Sequence, residues 1–212
     1  MDKKITELKV KLLTAPQDPI KMMWLAARNC YFKGGLDELE KTYDKGDAVN
    51  LLTRIKKMGH LSILEQVPYQ IGVEGASRSF LAQMTRHRVG WSYAVQSQHY
   101  QKHNDFDFKE LEHYPTPEHR TEYLNLMEDI NIFYKKLIAD GTPKYIAREV
   151  LPNATSVHLV MSANLSSLNH FWNLRLTKNN TPEIRKVAKK IYDEVIEHTP
   201  ELEKILGEYK FK

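Results

Sequence analysis

The chain has 212 residues, of which 42% are hydrophobic, and its formal net charge is +4. This length fits one large domain or two small ones, and no apolar run approaches the roughly 20 residues that span a bilayer. The mild charge is compatible with small anionic ligands but is too weak to indicate a protein that coats nucleic acid. The single cysteine, Cys30, excludes an internal disulfide framework and indicates a reducing cytoplasm.

Four elements are predicted in the first part of the chain from apolar periodicity and from residues that favour helix ends. In chain order they are a strand over residues 5–13, a helix that Pro19 opens and that ends around residues 28–31, a helix that Asp47 caps and Gly59 stops, and a strand over residues 67–73. Alternation of apolar and polar side chains indicates the strands. Proline in the first turn, aspartate at the N-cap and glycine after the last turn indicate the helices.

The rest of the chain is predicted to be mainly helical. The first of these elements is a helix that carries Phe80, Leu81 and Met84 and runs on to residues 86–88. A surface loop over 102–117, a long helix over 118–139, and a short helix that begins at Pro143 and ends before Pro152 follow. The last three are a strand over 156–163, a helix that Ser166 or Ser167 caps, and a helix that starts at residues 181–183 and buries Ile184, Val187, Ile191 and Val195. Long helices with a few strands and no linker indicate a single α+β domain over residues 1–212.

The triplet Arg86-His87-Arg88 and the polar patch after it form the first candidate site. Guanidinium groups bind phosphate in a bidentate fork, and two of them within three residues repel each other unless an anion lies between them. Helical spacing predicts that Gln83, Arg86 and His87 share one face. The alternative interpretation is a solvated basic helix end, since positive charge is favourable at a helix C-terminus.

Arg175 is the second candidate, because helical spacing places it on the apolar face of Leu168 and Phe171. An arginine on such a face needs a carboxylate or a ligand oxygen, or else its head reaches out to solvent. His60 either caps the end of the preceding helix or lines a pocket. The sequence has no Cys/His cluster with zinc spacing and no P-loop or dinucleotide fingerprint, so no metal site is predicted.

Five blocks of the chain, taken together, resemble the flavin-dependent thymidylate synthases. The Arg86-His87-Arg88 triplet with a serine downstream is one of them. The other four are Ala-Arg-Asn-Cys at 27–30, Gly-His-Leu-Ser-Ile-Leu-Glu at 59–65, Ala-Arg-Glu-Val-Leu-Pro at 147–152 and Asn-Leu-Arg at 173–175. Five blocks in the family's order, between residues 27 and 175, are far more specific than any one of them.

The resemblance implies the family's fold, with long helices packed on a small mixed or antiparallel sheet. It implies a homotetramer in which each active site gathers residues from several subunits around FAD. The implied reaction is the reductive methylation of dUMP to dTMP, with methylenetetrahydrofolate as carbon donor and NADPH as reductant. FAD delivers the hydride and no enzyme nucleophile attacks the pyrimidine, so the protein orients and polarises.

Matching positions carry the family's residue roles over to this chain. Arg175, near the uracil edge, and His60, near the folate and the flavin ring, are expected to be catalytic. The expected FAD ligands are Cys30, Ser62, Glu65, Arg86, His87, Arg88, Val89, Asn164 and His170. The expected dUMP ligands are Gln83, Arg86, Ser97, His99, Arg148 and Arg175.

The chain departs from the family pattern beside the triplet. Eight residues separate the triplet from Ser97 where the family has seven, and the extra residue is placed near Trp91. The family's Asn-Glu pair is replaced by residues 94–95, Ala-Val, its following arginine by His99, and its early serine by Cys30. These changes leave two alternatives open, a methylase of UMP or another pyrimidine nucleotide and a low-activity flavin-binding paralogue.

Two alternatives from other classes also stay open. One is a nucleic-acid-binding module that uses the basic and aromatic residues 86–103, and it predicts salt-dependent RNA binding without flavin. The other is a structural flavoprotein that binds FAD without turnover. The resemblance predicts instead a cytoplasmic enzyme that binds dUMP, folate and NADPH, and that binds neither nucleic acid nor a membrane.

Overall fold

A computed structural model describes residues 5–97, 106–207 and 209. The strands and helices of these residues are, in chain order, β1 (Lys9–Thr14), α1 (Pro19–Asn29), α2 (Leu36–Glu40), α3 (Lys45–Lys57), β2 (Pro68–Ser77), α4 (Arg78–Met84), β3 (Trp91–Val95), α5 (Pro117–Ala139), α6 (Lys144–Ala147), β4 (Ser156–Asn164), α7 (Leu165–Arg175), α8 (Pro182–His198) and α9 (Glu201–Leu206). Two short 3-10 turns cover Ser62–Gln66 and Arg148–Val150. His99 and the first part of the predicted 102–117 loop lie outside the described residues.

The four strands form one antiparallel sheet in the order β1-β2-β4-β3, which confirms the predicted α+β class. By its internal contacts the chain divides into two compact units. The first unit comprises residues 1–9, 73–85 and 94–159, and the second comprises residues 10–72, 86–93 and 160–212. The expectation of a single domain over residues 1–212 stays a prediction.

In the first unit, the long helix α5 packs against α6 and against the 3-10 turn at residues 148–150. It begins one residue before the predicted 118–139 helix and buries Met127, Asn131 and Tyr134 on one face. Gly75 of β2 has φ +71° and passes so close to the N-terminal segment that a Cβ on it would lie 2.2 Å from the carbonyl oxygen of Glu7. This close approach requires glycine.

In the second unit, α7 packs against α8 and against the 3-10 turn at residues 62–66. The predicted buried stripe of α8 is confirmed, because Ile184, Val187, Ile191 and Val195 are all buried. Trp172 of α7 meets the rings of Tyr192 and Tyr209 edge-on, at centroid distances of 5.4 and 5.6 Å. The Tyr209 hydroxyl also donates to Asn169 Oδ1 at 2.6 Å. Apolar packing and one buried hydrogen bond therefore fix α7.

Two predicted N-caps are wrong, because a neighbouring side chain makes the capping hydrogen bond. The carboxylate of Asp44, and not that of Asp47, caps α3 by accepting from the amide of Asp47 at 2.8 Å. Asn164, and not a serine, caps α7, since its Oδ1 accepts from the amide of Ser167 at 2.8 Å. Both caps satisfy an amide of the first helical turn.

The arginine triplet is not helical, contrary to the prediction. Helix α4 ends at Met84, and residues 86–88 follow it in a turn and an irregular segment. The carbonyl of His87 accepts from the Tyr93 hydroxyl at 2.7 Å, and the carbonyl of Val89 accepts from Ser167 Oγ at 2.9 Å. These carbonyls bond side chains instead of continuing a helix, so the predicted helical face of residues 83, 86 and 87 does not form. None of the helices over the described residues has both the length and the apolar character needed to cross a membrane.

Gly75→Ala should lower the free energy of unfolding by at least about 1–2 kcal/mol, because alanine disfavours a positive φ and its Cβ would collide with backbone. Gly72→Ala in the same strand is the matched control, since its new Cβ would meet the Leu13 side chain at an ordinary 3.4 Å. Urea unfolding followed by circular dichroism measures both variants. Equal losses in the two would contradict the constraint at Gly75.

Candidate functional site

A cavity of about 980 Å³ in the second unit gathers most of the predicted cofactor ligands. Its walls come from the 3-10 turn at residues 62–66 and its flank, from the segment 86–91 and from helix α7 with its cap. It is lined by Leu61, Glu65, Arg86, His87, Arg88, Val89, Gly90, Trp91, Asn164, Ser166, Ser167, Asn169, His170, Asn173, Leu174 and Arg175. This volume lies at the upper end of the range for small-molecule sites, about 300–1,000 Å³.

A close approach at Gly90 holds the segment 86–91 against the first turn of α7. Gly90 has φ +72°, and a Cβ on it would lie 2.1 Å from Ser167 Oγ. The same hydroxyl donates to the carbonyl of Val89, while the amide of Ser167 donates to the capping Asn164. We call this set of contacts, made by residues 89, 90, 164 and 167, the glycine corner. It places the arginine triplet beside α7.

Arg175, the last residue of α7, is oriented by two neutral acceptors. Its Nε donates to His87 Nε2 at 2.9 Å, and its Nη1 donates to Asn180 Oδ1 at 3.0 Å. The first bond requires a neutral imidazole with its proton on Nδ1. Burial, followed by the charge of Arg175 and by His170, lowers the pKa of His87 to about 4, so this ring is neutral near pH 7. The bonds therefore fix the guanidinium without cancelling its charge.

Aromatic side chains surround His87. Its ring meets Phe171 edge-on at a centroid distance of 5.0 Å and lies 6.1 Å from the ring of Trp91. Trp91 in turn stacks on Tyr93 at 6.0 Å, and burial raises the pKa of the Tyr93 phenol. Trp91, near which the extra residue is predicted, is therefore part of the aromatic surroundings that desolvate His87.

The cavity concentrates positive charge. Three arginines, Arg86, Arg88 and Arg175, line it. Among the described residues of the lining, one is acidic, Glu65. Burial, and then the charge of Arg86, lowers the pKa of Arg175, which indicates that like charges meet in a partly desolvated site. An anion with several oxygens, such as a pyrophosphate, would offset this repulsion through bidentate hydrogen bonds. Within the described residues, no group of three or more acidic, histidine or cysteine side chains could hold a metal ion.

Seven of the nine predicted FAD ligands line the cavity together with Arg175. They are Glu65, Arg86, His87, Arg88, Val89, Asn164 and His170. Val89 is 92% exposed, so its side chain points away from any packing within the described chain. Cys30, His60 and Ser62 are exposed residues of the second unit that are not among the lining residues.

The remaining predicted dUMP ligands are elsewhere in the chain. Gln83, Ser97 and Arg148 belong to the first unit, and His99 lies outside the described residues. The Nε of Arg148 donates to the carbonyl of Tyr145 at 3.2 Å, and its head is exposed. The roles expected for these residues stay predictions.

Sequence reasoning missed the residues that support the triplet. Gly90 and Ser167 make the glycine corner, and Asn180 holds Arg175 from beyond the end of α7. The available signal was weak, because a lone glycine after a basic triplet and an asparagine in a polar loop have many ordinary explanations. Their importance depends on contacts between segments that are far apart in sequence.

Comparisons with known proteins agree with the motifs. The fold and the cavity define an α+β protein with a cationic ligand site. A family model described as thymidylate synthase complementing protein matches residues 11–201. The chain is 35% identical over 184 residues to a flavin-dependent thymidylate synthase of Geobacter sulfurreducens, covering 85% of this chain and 79% of the relative. It is 34% identical to one of Pyrococcus horikoshii, covering 89% and 79%, and 30% identical to one of Clostridium tetani, covering 94% and 87%. The chain therefore belongs to the thymidylate synthase complementing protein family, and the resemblance in its motifs is confirmed.

Lowering the pH should destabilise the wild-type protein more than the variant His87→Gln. The unfolded chain binds a proton at this histidine near pH 6.5 and the folded chain only near pH 4, so stability falls as the pH falls between these values. Glutamine takes up no proton, yet its Oε1 can still accept from Arg175. The difference in unfolding free energy between the two proteins should therefore narrow from about pH 7 to about pH 4.5. His113→Gln, at an exposed position, is the control, and a difference that stays constant for His87→Gln would contradict the buried neutral ring.

Proposed function

We propose that this chain is a flavin-dependent thymidylate synthase. It converts dUMP to dTMP by reductive methylation, with FAD as cofactor, methylenetetrahydrofolate as carbon donor and NADPH as reductant. The observation that carries the proposal is the convergence of Arg86, Arg88 and Arg175 on one large cavity, in a chain whose relatives bear this enzyme's name. The enzyme is expected to work in the cytoplasm.

The residues of the cavity fit a phosphorylated flavin. Arg86 and Arg88 offer guanidinium forks to a pyrophosphate, and Asn164, Ser166 and His170 add polar groups to the lining. Gly90 keeps the segment that carries Arg86 and Arg88 close to α7, because a Cβ on it would collide with Ser167 Oγ. When bound, FAD supplies the hydride for the reduction, and the protein holds and polarises the reactants.

Arg175 is the group proposed to polarise the pyrimidine. The ring of dUMP gains negative charge as its C5 reacts, and a fixed cation beside the uracil edge stabilises that charge. Because His87 and Asn180 restrain the guanidinium at two of its nitrogens, it needs little reorganisation during the reaction. Both of these partners are neutral, so neither of them cancels its positive charge.

The dUMP phosphate is proposed to be bound by Ser97, His99 and Arg148, with Gln83 and Arg86 completing the nucleotide site. The pKa of Arg78 supports a phosphate site near Arg148, because burial and then the charge of Arg148 lower it. Two neighbouring cations in the first unit favour a dianion between them. Arg175 serves both as a dUMP ligand and as the polarising group.

The active site is further proposed to be shared between subunits of a homotetramer. Cys30, His60 and Ser62 are exposed, which leaves them accessible to a ligand held largely by a neighbouring subunit. Helix α5 of the first unit exposes several large apolar side chains, and such a patch favours association. These are Leu126, Ile132 and Phe133. In a shared site, His60 would approach the folate and the flavin ring.

Purified protein should be yellow, or should become yellow on addition of FAD, and should form dTMP from dUMP when methylenetetrahydrofolate and NADPH are supplied. Visible spectra and product analysis measure the two properties separately. UMP in place of dUMP is the control for the pyrimidine-nucleotide alternative, and RNA binding without flavin is the outcome that the nucleic-acid-binding module predicts. A colourless protein that does not take up FAD would overturn the proposal.

Arg175→Ala should lower kcat by about a hundredfold or more while FAD stays bound, because removing one charge-stabilising donor costs about 10²–10³ in rate. Arg54→Ala, an exposed arginine of α3, is the matched control and should retain full turnover. Steady-state dTMP formation at saturating substrates measures kcat, the flavin spectrum shows that FAD stays bound, and circular dichroism checks the fold. Unchanged turnover in Arg175→Ala would refute the role of this residue.

A further inference from the structure

A second cavity of about 450 Å³ lies in the same unit as the first. It is lined by Leu176, Pro182, Arg185, Lys186, Lys189 and Lys190. We call it the basic cleft, because each of its four ionisable lining residues is a cation. Leu176 directly follows Arg175, so the wall of the large cavity continues through one peptide bond into the wall of the basic cleft.

Helical spacing concentrates the charge of the basic cleft. Along α8, Arg185 and Lys189 are four residues apart, and so are Lys186 and Lys190. Like charges at this spacing repel each other and weaken a helix. Lys189 forms an ion pair with Asp193, one turn further on, which offsets part of the repulsion. Residues 182–190, the first half of α8, carry four cations and the single carboxylate of Glu183, so a surplus of positive charge remains that an anion can offset.

The cleft has an apolar component as well. Leu176 is buried beside the cations, and Pro182 opens α8 at the mouth of the cleft. Lysine and arginine stems add further methylene groups. A ligand that combines carboxylates with short methylene stretches is therefore better suited to this surface than a bare inorganic ion.

We propose that the basic cleft binds the oligo-γ-glutamate tail of the folate co-substrate. This inference rests on the proposed function, in which the pterin end of the folate delivers its carbon in the large cavity that Arg175 lines. The glutamate end is opposite the pterin, so it points out of the cavity, and one peptide bond joins Arg175 of the cavity to Leu176 of the basic cleft. Each added glutamate contributes one carboxylate and two methylene groups, which match the lysines and the apolar lining.

The test compares the monoglutamate and the pentaglutamate of methylenetetrahydrofolate as substrates for the holoenzyme. In the wild type, KM for the pentaglutamate should be lower. In the double variant Lys186→Gln/Lys190→Gln, KM for the pentaglutamate should rise about three- to tenfold, because each exposed ion pair contributes a factor of up to about five. KM for the monoglutamate and kcat should stay within error, and added salt should reduce the wild-type preference.

The matched control is Lys41→Gln/Lys57→Gln, which removes the same charge from exposed positions of the second unit outside both cavities. It should leave the pentaglutamate preference intact. Thermal unfolding of both double variants checks that the fold is unchanged. Free oligo-γ-glutamate should compete with the pentaglutamate substrate in the wild type and in the control, but not in Lys186→Gln/Lys190→Gln.

The outcomes separate this inference from the proposed function. Equal KM values for the two folates in the wild type, or a preference that survives in Lys186→Gln/Lys190→Gln, would overturn the tail site while leaving the enzyme intact. A variant that raises KM for NADPH but not for NADH, with no change for either folate, would instead assign the cleft to the 2′-phosphate and would also overturn the inference. Lack of dTMP formation with the monoglutamate would count against the proposed function itself.

Discussion

The close approach at the glycine corner is the constraint on which the candidate site depends. The segment after α4 can lie along α7 only because Gly90 has no Cβ at a point where one would lie 2.1 Å from Ser167 Oγ. The hydroxyl of Ser167 then bonds the carbonyl of Val89, and the amide of the same residue bonds the cap of α7. One serine thus joins the start of the helix to the segment that carries the arginine triplet. As a result, His87 reaches the far end of the same helix, where it accepts from Arg175.

Burial of His87 has two consequences that act together. It lowers the pKa of the imidazole to about 4, and the neutral ring can then serve as an acceptor for a guanidinium. A carboxylate in the same place would hold Arg175 more strongly but would neutralise it. At this position the structure therefore has a neutral acceptor, which directs the guanidinium into a partly desolvated cavity without cancelling its charge. Such a charge is useful only when a ligand acquires negative charge there.

The sequence predicted the elements whose signal is repeated over several turns or strand residues. Helix α5 and the buried stripe of α8 were predicted because apolar residues recur at helical spacing through each of them. The alternation of residues 69, 71 and 73 likewise identified β2. Helices α2 and α9 have five and six residues, too few for a periodic pattern. The caps at Asp44 and Asn164 depend on one hydrogen bond each, and propensity alone does not decide between two candidates three residues apart.

For the site, the motifs identified the residue types, whereas the fold identified what holds them. Arg86, His87 and Arg175 were all selected from the sequence, but the helical face expected to join residues 83, 86 and 87 does not exist, because α4 ends at Met84. Their actual meeting place is set by contacts between segments about 80 residues apart, such as the Arg175–His87 bond with a separation of 88 residues. Spacing within one helix carries no information about such contacts. A five-block resemblance predicts the ligands instead, because it reflects the whole fold rather than a local pattern.

The large cavity and the basic cleft carry different cations, and the difference suits the precision that each proposed ligand would need. In the large cavity the cations are arginines, and hydrogen bonds fix the position of Arg175 through two of its nitrogens. A planar guanidinium held in this way can stabilise charge at one defined atom. Three of the four cations of the basic cleft are lysines on exposed positions of α8. A flexible ammonium group can follow a tail whose length and conformation vary, which a fixed fork would not tolerate.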